Sequence, residues 1–209
     1  MKVLLVCGSP HKEGCTHTAL AEVAKTLQEE GIETKEVWIG NKPVGGCTAC
    51  GACGKLGKCM YDDVVNEVLA EIDTYDGFIF GTPVYYASPN GSMLGFMDRL
   101  FYAGAAKMAY KPAAAVASAR RGGTTATFDA MNKYFTINNM PVVSSRYWNM
   151  VHGANNKGED VLQDAEGLQT MRYLGRNMAW MLKCIEAGKK VGIEAPKPEE
   201  TKIFTNFIR

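Results

Sequence analysis

The chain has no long hydrophobic run near its start. "MKVLLVCGSP" carries five apolar residues, Val3 to Cys7, before Gly8, Ser9 and Pro10. That is shorter than the core of a secretion signal and far short of the roughly 20 residues of a membrane-spanning helix, so a cytoplasmic protein without a membrane partner is expected. A basic run is also missing: 23 Lys and Arg stand against 22 Asp and Glu, for a formal net charge of +1. The electrostatic footprint of a nucleic-acid binder is absent, and no nucleic-acid partner is expected. Histidine is scarce and scattered, at His11, His17 and His152, with no paired carboxylate motif, which leaves a histidine-activated nucleophile with little support. The loop after the first apolar run lacks the GK[ST] ending of a Walker A loop and the GxGxxG dinucleotide fingerprint. A nucleotide hydrolase is thereby disfavoured, and neither repeats nor low-complexity tracts are visible.

What is present is an alternation of short β-rich runs with helical stretches. At 209 residues and 46% apolar composition, this argues for one α/β domain with a parallel sheet between helical layers. Strands are expected at Lys2 to Cys7, Glu33 to Trp38, Gly77 to Phe80, Ala113 to Ala117 and Val142 to Tyr147. Helices are expected at about Thr16 to Glu30, Asp63 to Asp73, Ser92 to Tyr102, Thr124 to Asn138 and Asp160 to Ala187. The last carries an apolar stripe that includes Val161, Leu162, Met171, Leu174 and Met178, with Gly188 as its stop. The expected division is a domain over residues 1–188, a cysteine-rich insert over 45–61, and a tail over 189–209. Ile203, Phe204, Phe207 and Ile208 make the tail apolar, so it either packs on its own domain or joins a subunit contact.

A doubly wound sheet places its ligand beyond the carboxyl ends of the strands. The first such loop, "GSPHKEGCTHT", gathers Ser9, Thr16 and Thr18 at a helix N-terminus, a setting for a phosphomonoester; the plainer reading has Thr16 merely capping the helix. The loop after the third strand offers Thr82, Pro83, Tyr85 and Tyr86 to border a planar aromatic ligand, and "SARRGGTT" after the fourth adds Arg120, Arg121 and two glycines. Asp62 and Asp63 read as N-terminal charge and cap for the following helix. Cys15 stands where a helix N-terminus lowers a thiol pKa, with an inert loop role the alternative.

Four of the seven cysteines fall in "GGCTACGACGKLGKC" as CxxCxxC, five residues, then C. Compartment argues against disulfides. Four thiolates satisfy a zinc tetrahedron, but structural zinc usually pairs two knuckles across a longer insert. The compact run favours a cubane, with Cys47, Cys50, Cys53 and Cys59 each meeting one iron. Zinc and reduced thiols stay open as alternatives. Cys7 and Cys184 read as small buried hydrophobes.

"GSPHKEGCTHTAL" resembles the GSPRxxGNTxxL phosphate loop of flavodoxin-like NADPH-dependent FMN reductases, and "GTPVYYASPNGSMLGFMDR" resembles their GSPVY…LKxFxDR flavin loop. With the four-cysteine motif, the likeness narrows to the iron-sulfur flavoprotein branch, over about residues 1 to 187. His11 stands for the usual Arg and Cys15 for the usual Asn. The resemblance implies a flavodoxin-like, doubly wound, five-stranded parallel sheet in three layers. It implies FMN held by Ser9, Thr16 and Thr18 at the phosphate, with His11, Gly14 and Cys15 in the same loop. Pro83, Val84, Tyr85 and Tyr86, with Ala119, Arg120 and Gly122, would surround the isoalloxazine, with Thr82 in the same loop. Arg120 or Arg121 is expected to place positive charge near the flavin N1, solvent-facing loop arginines being the alternative. A [4Fe-4S] cluster, NAD(P)H as transient donor, a ferredoxin-like partner and a homodimer or homotetramer complete the expectation. The rival reading is a non-catalytic flavodoxin-like module that senses redox state or metal through its cysteines. Tyr147 and Trp148 are candidates to reach a neighbouring subunit's ring, or to pack as core or interface.

Overall fold

In the computed structural model the described residues are 1–155, 157–197, 200, 201, 203, 205 and 206. Five parallel strands, β1 (Lys2–Cys7), β2 (Glu33–Trp38), β3 (Gly77–Tyr85), β5 (Ala113–Ala119) and β6 (Met150–His152), form a sheet in the order β2-β1-β3-β5-β6. The two-residue β4 (Ser88–Pro89) pairs antiparallel with the end of β3. Helices α1 (Cys15–Glu29) and α7 (Ala165–Lys190) cover one face, and α3 (Val64–Glu71), α4 (Gly91–Met108) and α5 (Thr124–Ile137) the other. Two short helices, α2 (Cys53–Leu56) and α6 (Gly158–Val161), sit in the connections.

The sheet separates two cores because strand side chains alternate between its faces. Leu4 and Val6 of β1 join Phe78, Phe80, Phe96 and Phe135 on the α4 side, while Val3, Leu5 and Cys7 join Leu20, Leu174 and Met178 on the α1–α7 side. Buried on both faces, β1 reads as an unbroken apolar run, whereas edge strand β2 keeps charged residues. The strand order reverses between β1 and β3, so the loops leaving those strands diverge and open a crevice.

The structure corrects several expectations. The segment Val142 to Tyr147 is not a strand: it makes a single bridge, Ala113 to Val142, after which Ser144 to Trp148 run along the surface, all exposed but the half-buried Ser145. Pairing resumes only when Ala117 N–H reaches Asn149 O, so β6 begins at Met150. Polar Ser144, Ser145 and Arg146 cannot take inward positions on a buried strand, which expels that stretch. The expected last helix is two, because the Asp164 carboxylate caps Gly167 N–H at 2.9 Å and starts α7 afresh; Leu162 is left 62% exposed. Gly188 does not stop α7, which runs to Lys190, and the left-handed turn falls at Gly192 with φ +86°. Cys7 is buried, as expected, but Cys184 is exposed. In the tail, Ile203 is exposed, while Phe204, Phe207 and Ile208 lie outside the described residues.

Candidate functional site

The loops after β1 and β3 are clamped to each other. Gly8 N–H donates to Gly81 O at 2.8 Å, and the buried Asn90 amide donates back to Gly8 O at 2.5 Å. A Cβ at Gly8 would stand 3.0 Å from both Gly81 O and Met93 Cβ, so glycine lets the two loops cross without displacing either. Asn90 also caps α4, accepting from Met93 N–H at 2.8 Å, and its own N–H donates to Thr82 Oγ1 at 3.1 Å.

Beyond Gly8, Ser9 Oγ accepts His11 N–H at 3.1 Å and Ser9 O accepts the Trp38 indole N–H at 2.7 Å. The cap residue of α1 is Gly14, not Thr16; no side chain caps that end, and its first turn holds no acidic residue. Uncapped amides and the positive end of the helix dipole suit an anion there. Thr16 is buried and shares a 2.7 Å hydrogen bond with Ser118 Oγ at the end of β5, joining the first loop to the fourth strand. Thr18 Oγ1 donates to Gly14 O at 3.3 Å. Ser9, His11, Cys15, Thr16, Pro83, Tyr85 and Ser118 border one small cavity. Burial pushes the Cys15 thiol up, with the Asp160 charge adding, so it is not an activated thiolate; its Sγ–H donates to Lys157 O at 3.3 Å.

The aromatic loop is a tight hairpin. Tyr85 pairs Ser88 across Tyr86 and Ala87, which sit at φ +52° and +57°, the double left-handed turn that suits a two-residue hairpin. Tyr86 stands fully in solvent and Tyr85 half so. Thr82 is buried, its hydroxyl donating to Pro83 O at 3.1 Å, so it braces the loop from within. Gly123, at φ +94°, is the cap residue before α5; a Cβ there would lie 2.8 Å from Ala87 Cα and 2.9 Å from Val84 Cγ1, so the Gly-rich loop rests on the hairpin. Ala119 is partly buried, and Arg120, Arg121 and Gly122 are exposed at the rim. Arg121 O lies 3.2 Å from His152 Nε2. Tyr147 and Trp148, half exposed, pack edge to face with centroids 5.0 Å apart.

The cysteine segment lies alongside α4. Gly95 lets it cross: a Cβ at that position would stand 2.6 Å from Val44 O and 3.0 Å from Gly45 O. Ala49, Gly51 and Gly57 take φ of +54°, +69° and +66°, turning the chain repeatedly. Cys47, Cys50, Cys53 and Cys59 line one cavity of about 130 Å³ together with Tyr61, Arg99 and Tyr102. Ala49 N–H donates to Cys47 Sγ at 3.4 Å, Cys53 Sγ–H donates to Tyr102 O at 3.7 Å, and Arg99 Nε–H donates to Cys59 Sγ at 3.1 Å. Among the described residues no three Cys, His, Asp or Glu side chains are grouped as ligands of one metal ion. The four thiols ringing a common cavity, with a donor aimed at one of them, fit a small polynuclear group met at several corners.

Arg99 is 2% exposed. Its Nη atoms donate to both Asp63 oxygens at 2.6 and 2.8 Å and to Tyr61 O at 3.0 Å. Burial disfavours its charge, but the bonds to Asp63 and Cys59 outweigh that and raise its pKa. Asp63 does cap α3 as expected, accepting Val65 N–H at 3.0 Å, and pairs with Arg99 besides. Asn66 stitches the loop end, accepting Cys59 N–H at 2.9 Å and donating to Cys59 O at 3.0 Å. The sequence reading missed Ser118, Asn90, Arg99 and Asn66. Asn90 before "GSM" carried a capping signal, Arg99 closes the quoted "GFMDR" stretch and Ser118 opens "SARRGGTT", but nothing in the sequence named their partners; Asn66 carried no signal.

Residues 1–155 match the family described as NADPH-dependent FMN reductase. The chain belongs to that family. It is therefore an FMN-binding flavoprotein, and curated relatives place it in the iron-sulfur flavoprotein branch. An iron-sulfur flavoprotein of Methanocaldococcus jannaschii is 33% identical over 192 residues, covering 89% of this chain and 100% of the relative. Another, of Methanosarcina thermophila, is 26% identical, covering 90% and 99%. The flavodoxin-like fold is shown as well by a flavodoxin, WrbA-like protein of Agrobacterium tumefaciens: TM-score 0.63, 19% identity, 88% of this chain and 98% of that one. No helix among the described residues is long and apolar enough to cross a membrane.

Proposed function

We propose that this family member is an oxidoreductase or electron-transfer protein. It takes electrons from NAD(P)H or a ferredoxin and delivers them to an acceptor, with FMN and a [4Fe-4S] cluster as its redox groups. The carrying observation is that four cysteines line one cavity beside α4, the helix whose cap residue, Asn90, ties the β1 and β3 loops. When bound, FMN supplies hydride and single-electron chemistry and the cluster one-electron chemistry.

The residues present fit both groups. Ser9, Thr16 and the uncapped amides after Gly14 hold a phosphate, with His11 and Cys15 beside them; Thr18, its hydroxyl turned to Gly14 O, borders a neighbouring cleft with Gly14 and His11 and braces the loop. Pro83, Val84, Tyr85 and Tyr86 present one wall for a flat ring, and Ala119, Arg120 and Gly122 the rim, where Arg120 supplies positive charge. Cys47, Cys50, Cys53 and Cys59 hold the cluster as thiolates, Cys53 giving up the proton it donates to Tyr102 O. The domain runs from residue 1 through the end of α7 at Lys190, two residues past the expected bound of 188, with its insert at 45–61. The exposed Tyr147–Trp148 pair and the exposed Val191 and Ile193 after α7 form contacts in a homodimer or homotetramer in the cytoplasm.

The test is iron, sulfide, zinc and flavin analysis of anaerobically purified protein, followed by absorbance during addition of NADH, NADPH or reduced ferredoxin. The expected result is FMN with about four irons and four sulfides per chain, and rapid bleaching of the flavin band by one donor. Stoichiometric zinc with negligible iron, or a flavin that no donor bleaches, would sink the reading in favour of a sensing module.

A further inference from the structure

We infer that Arg99 is a positioning residue that sets the electron affinity of the cysteine centre through Cys59. The inference rests on the reading that the four cysteines hold a [4Fe-4S] cluster. Three observations carry it. First, Arg99 Nε donates to Cys59 Sγ at 3.1 Å, shorter than the 3.4 Å bond at Cys47 Sγ and the 3.7 Å bond at Cys53 Sγ, and made by a charged donor. Second, the guanidinium is fixed: buried, paired through both Nη atoms to Asp63, bonded to Tyr61 O, and 5.3 Å from the Tyr61 ring centroid. Its planar fork cannot aim two nitrogens at Asp63 without fixing the direction of the third. Third, Arg99 lies on α4 and Asp63 caps α3, so two helices hold the donor in place.

One electron delivered from the donor adds a negative charge beside the guanidinium. Arginine keeps its proton throughout, so none has to move. A hydrogen bond and a fixed positive charge at a ligand sulfur stabilise that added charge and raise the reduction potential. The Asp63 carboxylate, 2.6 Å from Nη1, opposes the same effect. The pair therefore forms a two-sided setting: weakening the arginine lowers the potential, and neutralising the aspartate raises it. A purely architectural pair lacks this opposition of sign.

The experiment compares wild type, Arg99→Lys and Asp63→Asn, purified anaerobically, by iron and sulfide content and by a spectroscopically monitored redox titration. Arg99→Lys loses the directed Nε–H, and its ratio of reduced to oxidised cluster at the wild-type midpoint is expected to fall roughly tenfold, a displacement of about 59 mV to lower potential for one electron. Asp63→Asn can still cap α3 and is expected to move the midpoint upward. Midpoints that both stay put, or both move in one direction, overturn the inference while leaving the two-cofactor reading intact. If Arg99→Lys retains no iron, Asp63→Asn decides: an upward displacement supports the inference, and none or a downward one overturns it. A wild-type protein without iron overturns the inference together with the reading on which it rests.

Discussion

The two halves of the site are built in opposite ways. The half at the strand ends is tied from inside: Gly8, Thr16, Thr82, Asn90 and Ser118 are buried and bonded to one another across the ends of β1, β3 and β5. The cysteine half is an exposed loop with left-handed turns, fastened by Arg99, Asp63 and Asn66. A loop whose ligands lie near solvent gains order from what it binds, whereas one wired into strand ends keeps its shape without ligand.

Asn90→Ala attacks the wired half and is expected to have the largest effect. It removes the α4 cap and leaves Gly8 O without its buried donor, costing about 3 kcal/mol together. Thermal unfolding and FMN dissociation both report it; a midpoint within error of wild type would remove the contrast. Gly95→Ala attacks the fastening of the other half. Its Cβ would need the space of Val44 O, so about 2 kcal/mol is expected, with iron content falling while FMN is kept. Equal loss of both groups would show that the two halves are not independent.

The smallest change sharpens the comparison. Tyr86 holds a φ of +52° while wholly exposed, so Tyr86→Gly is expected to stabilise the fold by about 0.5 to 1 kcal/mol while weakening FMN. Lower stability, or unaltered flavin affinity, would show that the hairpin tip does not trade conformational ease for ligand contact.

How much of this was legible in the sequence follows the same division. The bounds of β1 and β2 matched the reading because strand runs between turn signals are local facts. The loop after β1 was legible as a strand-to-helix turn for the same reason, and Ser9, His11, Cys15, Thr16, Pro83 and Tyr85 do share a cavity. The fifth strand was misplaced because Val142 and Val143 suggest pairing that β5 supports at one bridge before Ser144 to Trp148 leave the sheet. Arg99 was invisible as a partner of Cys59 because it lies 40 positions away on a helix, where an arginine ordinarily reads as solvated. Asp63 showed its cap and hid its second bond, since a capping signal is local and an ion pair between helices is not.

Helix α4 has one consequence for the whole molecule. Asn90 at its start is lashed to the β1 loop, and Arg99, nine steps on, grips the cysteines; at 1.5 Å per residue the interval is about 14 Å. A helix of fixed pitch is a ruler. The gap between the two halves is thus written into the count of residues between an asparagine and an arginine, and one inserted residue would turn the grip about 100° away from its target.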